Sequence, residues 1–298
     1  MKEINFVKMS GSGNDFIVID NRKKIIKNAS LFAKKYCTKE DVDGLLLVEK
    51  SLLKQNDFKM VYYNSDGSRA SFCGNGARCI SLFACLNKIA SSKMSFESDA
   101  GLISAEIKND TKCHPELTRD VTMNLIQGFT GTHTVKVKMP APKDFNLDFI
   151  LHVDSKNLAS SFVNTGVPHT VIFVNPALSE KFFRKGGVEN VDVNRLGRLI
   201  RFHKKFAPAG TNVDFVKIIG KNKLQVRTYE RGVEAETLAC GTGVVASSII
   251  SILKKYVSSP VSVLTQGGET LKVYYDGKTV YFEGKVAIVF EGKISYEK

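Results

Sequence analysis

Hydrophobic positions along the chain fall mostly into short alternating or unbroken stretches. In the first half these are Phe6–Met9, Phe16–Asp20, Leu45–Val48, Phe58–Tyr63 and Met94–Glu97. In the second half they are Val135–Met139, Val171–Val174, Val213–Ile219, Leu224–Tyr229, Val261–Leu264, Leu271–Tyr275 and Val280–Val289. Turn-forming residues separate them, which predicts a strand for each. Helical patterns are fewer: Ser30–Tyr36, Asn75–Asn87, Asn194–Lys204 and Thr242–Tyr256. The second is apolar nearly all round, and Thr242–Leu253 is small or apolar on every face apart from its serines. A helix without a polar face is buried on most sides. The pattern therefore predicts an α/β (α+β) fold in which a curved, mostly antiparallel sheet or barrel wraps one central helix.

The order of features repeats. Gly13–Asp20 (GNDFIVID) has a counterpart in Gly166–Phe173 (GVPHTVIF), and Phe58–Asp66 (FKMVYYNSD) in Leu224–Arg231 (LQVRTYER). Asn64 stands nine residues before Cys73, and Glu230 ten before Cys240. Each cysteine opens a Cys-Gly-x-Gly step into an apolar helix, in Ser71–Leu82 (SFCGNGARCISL) and Ala239–Ser248 (ACGTGVVASS). Such periodic order is the mark of duplication. Two pseudo-symmetric domains are expected, residues 1–138 with 286–298 returning to them, and residues 139–285.

Composition narrows the function classes. The 298 residues are 43% hydrophobic and contain no low-complexity tract, which suits a globular chain. The N-terminal stretch lacks a secretory h-region, and the apolar run Val244–Leu253 is too short to span a bilayer. A cytoplasmic protein without membrane contact is expected. The six cysteines (Cys37, Cys73, Cys79, Cys85, Cys113, Cys240) form no CxxC pair, the five histidines are scattered and no His-Glu-x-x-His occurs. Neither a disulfide framework nor a metal site is expected. The net charge of +13 is dispersed; its densest cluster, Arg195–Lys205, reads as an amphipathic helix with a solvated basic face. Nucleic-acid binding is thus disfavoured, while steering of a small anionic substrate is compatible with the charge.

The cysteines carry the chemistry. The first turn of a helix has unpaired N–H groups and a positive dipole end. A cysteine there is expected to have its thiolate favoured. Glycines at the next and third positions would let the backbone approach a ligand and offer N–H groups to a carboxylate. One thiolate can remove an α-proton, but inversion of a stereocentre also needs an acid on the opposite face, and a second thiol supplies it. Gly241–Ala246 formally fits GxGxxA, yet no acidic residue closes a second strand about 20 residues on, so a dinucleotide site is disfavoured. Cys79 and Cys85 read as core residues; Cys37 and Cys113 carry no role.

Three blocks, Ser10–Asp20 (SGSGNDFIVID), Asn64–Cys79 (NSDGSRASFCGNGARC) and Tyr229–Gly243 (YERGVEAETLACGTG), resemble the signatures of the diaminopimelate epimerases, across essentially the whole chain. The resemblance implies a homodimeric isomerase that interconverts LL- and meso-diaminopimelate without pyridoxal phosphate or any other cofactor. Such an enzyme serves lysine and peptidoglycan synthesis. It also implies roles, residue by residue. Cys73 and Cys240 become the acid/base pair, and the amides of Gly74, Asn75, Gly241 and Thr242 hold the carboxylate. Asn14, Asn64, Asn212, Glu230 and Arg231 fall on substrate-binding positions. His169, with Glu230, falls where thiol ionisation is tuned.

Three positions depart from the family pattern. Val167 replaces an asparagine of the Gly-Asn-Pro-His motif, so the distal amide contact is lost or replaced. Gly44 stands where some members carry glutamine, and Phe290 where some carry an interface tyrosine. The nearest competing reading is a sister racemase acting on another amino acid, such as histidine. Arg231 argues against it, because a substrate with one carboxylate gives that charge nothing to grip.

Overall fold

A computed structural model describes residues 2–108, 132–174 and 187–296. The chain divides into two compact units, residues 1–138 with 283–298, and residues 139–282.

The first unit begins with a hairpin of β1 (Lys2–Gly11) and β2 (Asn14–Asp20). Helix α1 (Ala29–Glu40) leads into β3 (Gly44–Glu49), parallel to β2. β4 (Phe58–Asn64) runs antiparallel to β3, and the short β5 (Arg69–Ala70) antiparallel to β4. After α2 (Gly74–Leu86), β6 (Lys93–Ser98) returns parallel to β4, and β7 (Gly101–Lys108) and β8 (Thr132–Lys138) follow antiparallel.

The second unit repeats this scheme. β9 (Lys143–Val153), β10 (Lys156–Asn164) and β11 (Pro168–Phe173) are antiparallel neighbours. Helix α3 (Val193–Arg201) precedes β12 (Asn212–Gly220), which is parallel to β11 as β3 is to β2. β13 (Lys223–Glu230) and β14 (Ala235–Thr237) continue antiparallel. After α4 (Gly241–Leu253), β15 (Val261–Leu264) runs parallel to β13, and β16 (Thr270–Tyr275) antiparallel to β15. From β1–β2 to β6–β7 and from β10–β11 to β15–β16, the parallel and antiparallel pairings follow in the same order, which is the duplication expressed in strand pairing. The last strand, β17 (Val280–Tyr296), pairs antiparallel with β1 through residues 287–296.

Each central helix is enclosed by its own sheet. All thirteen residues of α2 are buried, Asn75 and Arg78 included, and the helix packs against β1, β2, β3, β4, β7 and β8. α4 packs against β10, β11, β12, β13, β15 and β16, and only Thr242, Ile252 and Leu253 reach the surface in part. The opposite sheet faces are covered by α1 and α3. Phe32 and Tyr36 of α1 join Ile17, Leu45 and Leu47, while Leu196 and Ile200 of α3 join Val213 and Phe215. The expected fold class holds, a curved sheet around a buried helix in each unit.

Differences from the sequence pattern are local. β9 and β10 escape it because β9 turns Phe145, Leu147 and Ile150 outward while β10 fills its interior with serines. α4 stops at Leu253, followed by Lys255 with φ 60°, short of the expected Tyr256. Cys79 and Cys85 are both buried as expected, but Cys85 is disulfide-bonded, where no disulfide framework was expected. Cys113 lies outside the described residues. Among them, no helix is long and apolar enough to cross a membrane, and no group of three or more His, Cys, Asp or Glu side chains is placed to hold a metal ion.

Candidate active site

In the first unit, Cys73 is the N-cap of α2, in extended conformation. Its Sγ accepts the Gly76 N–H at 3.4 Å, while its carbonyl starts the helical ladder by accepting from Ala77. The thiol thus sits on the positive end of a thirteen-residue helix, as the motif implied. Asn14 reaches the same side chains because β1 and β2 are joined by the two-residue turn Ser12–Gly13, both at positive φ (55° and 82°). Asn75 Nδ2 donates to Asn14 Oδ1 at 2.7 Å. Asn64 ends β4 opposite Gly44, and its Nδ2 donates to Ser68 Oγ at 2.9 Å, so here its amide closes the turn Asn64–Ser68. Gly44 has a local reason: a Cβ there would lie 2.6 Å from both Tyr62 Cε2 and the Tyr63 carbonyl oxygen.

In the second unit, Cys240 is the N-cap of α4, and its Sγ lies 3.4 Å from Thr242 Oγ1. The parallel register of β11 and β12 sets His169 beside Asn212. His169 Nδ1 lies 2.8 Å from Asp214 Oδ2, with both side chains fully buried. His169 Nε2 lies 2.9 Å from Thr242 Oγ1. A carboxylate accepts only, which puts the imidazole proton on Nδ1 and leaves Nε2 to accept the Thr242 hydroxyl. The result is one connected chain: Thr242 donates to His169 and His169 to Asp214, with the Cys240 sulfur beside the Thr242 hydroxyl. Thr228 Oγ1 donates to the other carboxylate oxygen, Asp214 Oδ1, at 2.8 Å.

Asn212 and Arg231 are tied together, because Asn212 Oδ1 accepts the Arg231 N–H at 2.7 Å. The Arg231 guanidinium donates to the Ala209 carbonyl at 3.2 Å, and burial with the nearby Arg201 charge pulls its pKa below the ordinary value. Glu230 accepts from Thr237 Oγ1 at 3.1 Å. Burial pushes the Glu230 carboxyl up, against the opposing hydrogen bond from Thr237.

Two expectations require correction. A helix start was expected to lower the thiol pKa, but Cys240 is raised well above its ordinary value. Burial is the largest cause, and the Glu230 and Asp214 carboxylates add to it; the Thr242 hydroxyl and the Gly243 N–H oppose them. Cys240 therefore rests as a thiol. The third-position glycines were expected to admit a ligand, yet they admit the protein itself. A Cβ on Gly243 would lie 2.3 Å from Asp214 Oδ1, and one on Gly76 3.1 Å from Leu46 Cδ2. Asp214 is the site residue that sequence reasoning missed. Its only signal is alternation, since Asn212 and Asp214 share one face of β12.

The family model for diaminopimelate epimerase matches residues 6–123 and 161–289. The diaminopimelate epimerase of Aquifex aeolicus is 41% identical over 308 residues, covering 99% of each chain. That of a Hydrogenobaculum species is 38% identical, covering 97% of this chain and 98% of its own. Among solved structures, a probable proline racemase from Agrobacterium radiobacter superposes with TM-score 0.68 at 12% identity, over 99% of this chain and 93% of its own. A phenazine biosynthesis protein of the PhzF family from Bacillus anthracis superposes with TM-score 0.66 at 15% identity, over 99% of this chain and all of its own. The two structures share the fold, and the sequence matches extend over nearly the whole chain, both Cys-Gly-x-Gly helices included: this chain belongs to the diaminopimelate epimerase family.

Proposed function

We propose that the protein interconverts LL- and meso-2,6-diaminopimelate by proton transfer between Cys73, the substrate α-carbon and Cys240, using no cofactor. The observation that carries this reading is the matched pair of thiols, each the N-cap of a buried helix at the same place in a duplicated unit. In one direction, Cys73 as thiolate takes the α-proton while the Cys240 thiol gives its own proton to the opposite face of the carbon. In the other direction, the roles reverse, and each turnover exchanges which sulfur is protonated. Helix-start amides of Gly74, Asn75, Gly241 and Thr242 hold the adjacent carboxylate and so stabilise the charge that develops beside it. Arg231 takes the distal carboxylate, Glu230 the ammonium group. Asn14, Asn64 and Asn212 complete the substrate contacts, and His169 and Glu230 tune the thiols.

The rest of the reading follows the family: a cytoplasmic enzyme supplying lysine and peptidoglycan precursors. Val289 and Phe290, 50% and 41% exposed on β17, are the surface we assign to a second copy in a homodimer. The test uses reduced protein with LL-diaminopimelate in deuterated water and no added pyridoxal phosphate. Meso product carrying one solvent deuterium at the inverted carbon, abolished by Cys73→Ala or Cys240→Ala, is the expected result. Exchange with another amino acid but not with this one would move the specificity; exchange with none would end the two-thiol reading.

A further inference from the structure

Helix α2 carries one cationic side chain, Arg78, and it is fully buried. Its Nη2 donates to Asn75 Oδ1 at 2.7 Å and to Ser12 Oγ, and its Nη1 donates to the Lys285 carbonyl at 3.0 Å. A guanidinium has donors only. The carboxamide of Asn75, 2% exposed, must therefore turn its oxygen to Arg78 and its nitrogen away. That nitrogen meets Asn14 and donates to Asn14 Oδ1 at 2.7 Å. Asn14 in turn has its oxygen occupied from within, and its own Nδ2 is the end left to face a ligand. Two amides in series thus inherit one polarity from one buried cation, where an amide with neutral neighbours could be flipped at little cost.

We propose that Arg78 is a positioning residue that fixes Asn14 as a hydrogen-bond donor, so that the Cys73 half-site selects a carboxylate oxygen at Asn14 and rejects an ammonium group there. This inference rests on the reading of that half-site as an amino-acid site. It adds which group of the substrate the site accepts at Asn14, and what enforces the choice. Burying an arginine at the positive end of a helix is costly, and its bonds to the Ser12 turn and to Lys285 would by themselves be a structural explanation. The amide chain separates the two explanations, because polarity can be reversed while Arg78 and its bonds stay in place.

Asn75→Asp is the discriminating variant. The new carboxylate still accepts from Arg78, with opposite charge, so stability is expected to hold or rise. It cannot donate to Asn14, whose amide must then rotate, giving Nδ2 to the carboxylate and turning Oδ1 to the ligand. In 1H–15N spectra of the substrate-free protein, the Asn14 side-chain NH2 is expected to exchange quickly with water in the parent and slowly in Asn75→Asp. With LL-diaminopimelate, KM is expected to rise about tenfold to a hundredfold, as for a lost bond to a charged group. Arg78→Lys should recover part of the loss seen in Arg78→Met, since one donor can still reach Asn75. An Asn14 amide that exchanges alike in parent and Asn75→Asp would overturn the proposal, as would an unchanged KM in an active variant. If the spectra respond as expected but the parent does not turn over diaminopimelate, the amide polarity stands and the substrate reading fails.

Discussion

Asp214 Oδ2 lies 2.8 Å from His169 Nδ1, and neither side chain is accessible to solvent. The pair fixes the histidine tautomer, and the tautomer decides that Thr242, and through it Cys240, meets an acceptor nitrogen. An amide at position 214 would fill the same space and satisfy the same two partners, taking the His169 proton on oxygen and giving a proton to Thr228. It would remove the charge alone. Asp214→Asn is therefore expected to fold normally and to lose kcat about tenfold to a hundredfold, the range of a charge-assisted bond. The same variant takes away one of the charges that hold the Cys240 thiol up, so its alkylation by iodoacetamide should begin at lower pH. A fall in kcat with an unmoved alkylation profile would mean that Asp214 acts on the site by packing only.

Glu230 gives a second handle on the same thiol. Its charge raises Cys240 more than that of Asp214 does. Glu230→Gln is expected to move the alkylation profile of Cys240 to lower pH and to leave the reactivity of Cys73 unchanged. Mass spectrometry of the two cysteine peptides after timed alkylation reads both sites at once. A shift in the opposite direction would mean that Glu230 favours the thiolate.

Alkaline pH should weaken the fold through its buried thiols. Burial, with Asp43 beside it, pushes Cys37 from 9.0 up to about 12, and Cys240 is raised as well. Above pH 9 the unfolded chain releases these protons while the folded chain keeps them, so the folded state is the more protonated and loses stability as pH rises. Each such thiol contributes a slope of about −1.4 kcal/mol per pH unit until its folded pKa is reached. Cys37→Ala, outside the catalytic machinery, is expected to lower stability at neutral pH and to flatten the decline between pH 9 and 11. Urea unfolding across that range measures the slope directly.

The glycines that follow the two thiols predict unequal costs. Gly243→Ala places a methyl 2.3 Å from Asp214 Oδ1 and 3.0 Å from Thr228 Oγ1, both fixed in a buried network. Gly76→Ala meets Leu46 Cδ2 at 3.1 Å, the end of a side chain that can rotate. Gly243→Ala is expected to cost about 1–3 kcal/mol and most of the activity. Gly76→Ala should cost less of both, and thermal unfolding with initial rates decides the order.

Sequence legibility divided along a physical line. Cys73 and Cys240 could be read because their signal is local: a thiol, a glycine and an apolar run define a buried helix start. The duplication could be read because strand order is written in sequence order. Asp214 could not, because its role is set by the register that lays β12 beside β11, and alternation then puts Val213 against α3 and Asp214 against α4. The ionisation of Cys240 was misjudged for a related reason. Position at a helix end favours the thiolate, but burial and two carboxylates that approach from β12 and β13 favour the thiol, and the larger sum prevails. Arg78 was visible only as a charge out of place in an apolar helix.

Thr242 supplies the prediction of opposite sign. Its hydroxyl stands between Cys240 Sγ at 3.4 Å and His169 Nε2 at 2.9 Å; when Cys240 ionises, the hydroxyl turns to donate to the thiolate, and that bond lowers the thiol pKa. Thr242→Val keeps the branched shape and removes only the hydroxyl. The backbone N–H of residue 242 and its carbonyl, which accepts from Thr165 Oγ1 at 3.1 Å, are untouched. Alkylation of Cys240 should move to higher pH, where Asp214→Asn and Glu230→Gln move it lower, and kcat should fall because the thiol no longer communicates with the histidine. The double variant Thr242→Val with Asp214→Asn should then lose scarcely more activity than Thr242→Val alone, since the charge acts through the hydroxyl. Additive losses in kcat would show that Asp214 reaches the thiol by its field across space, with the hydrogen-bonded chain as bystander.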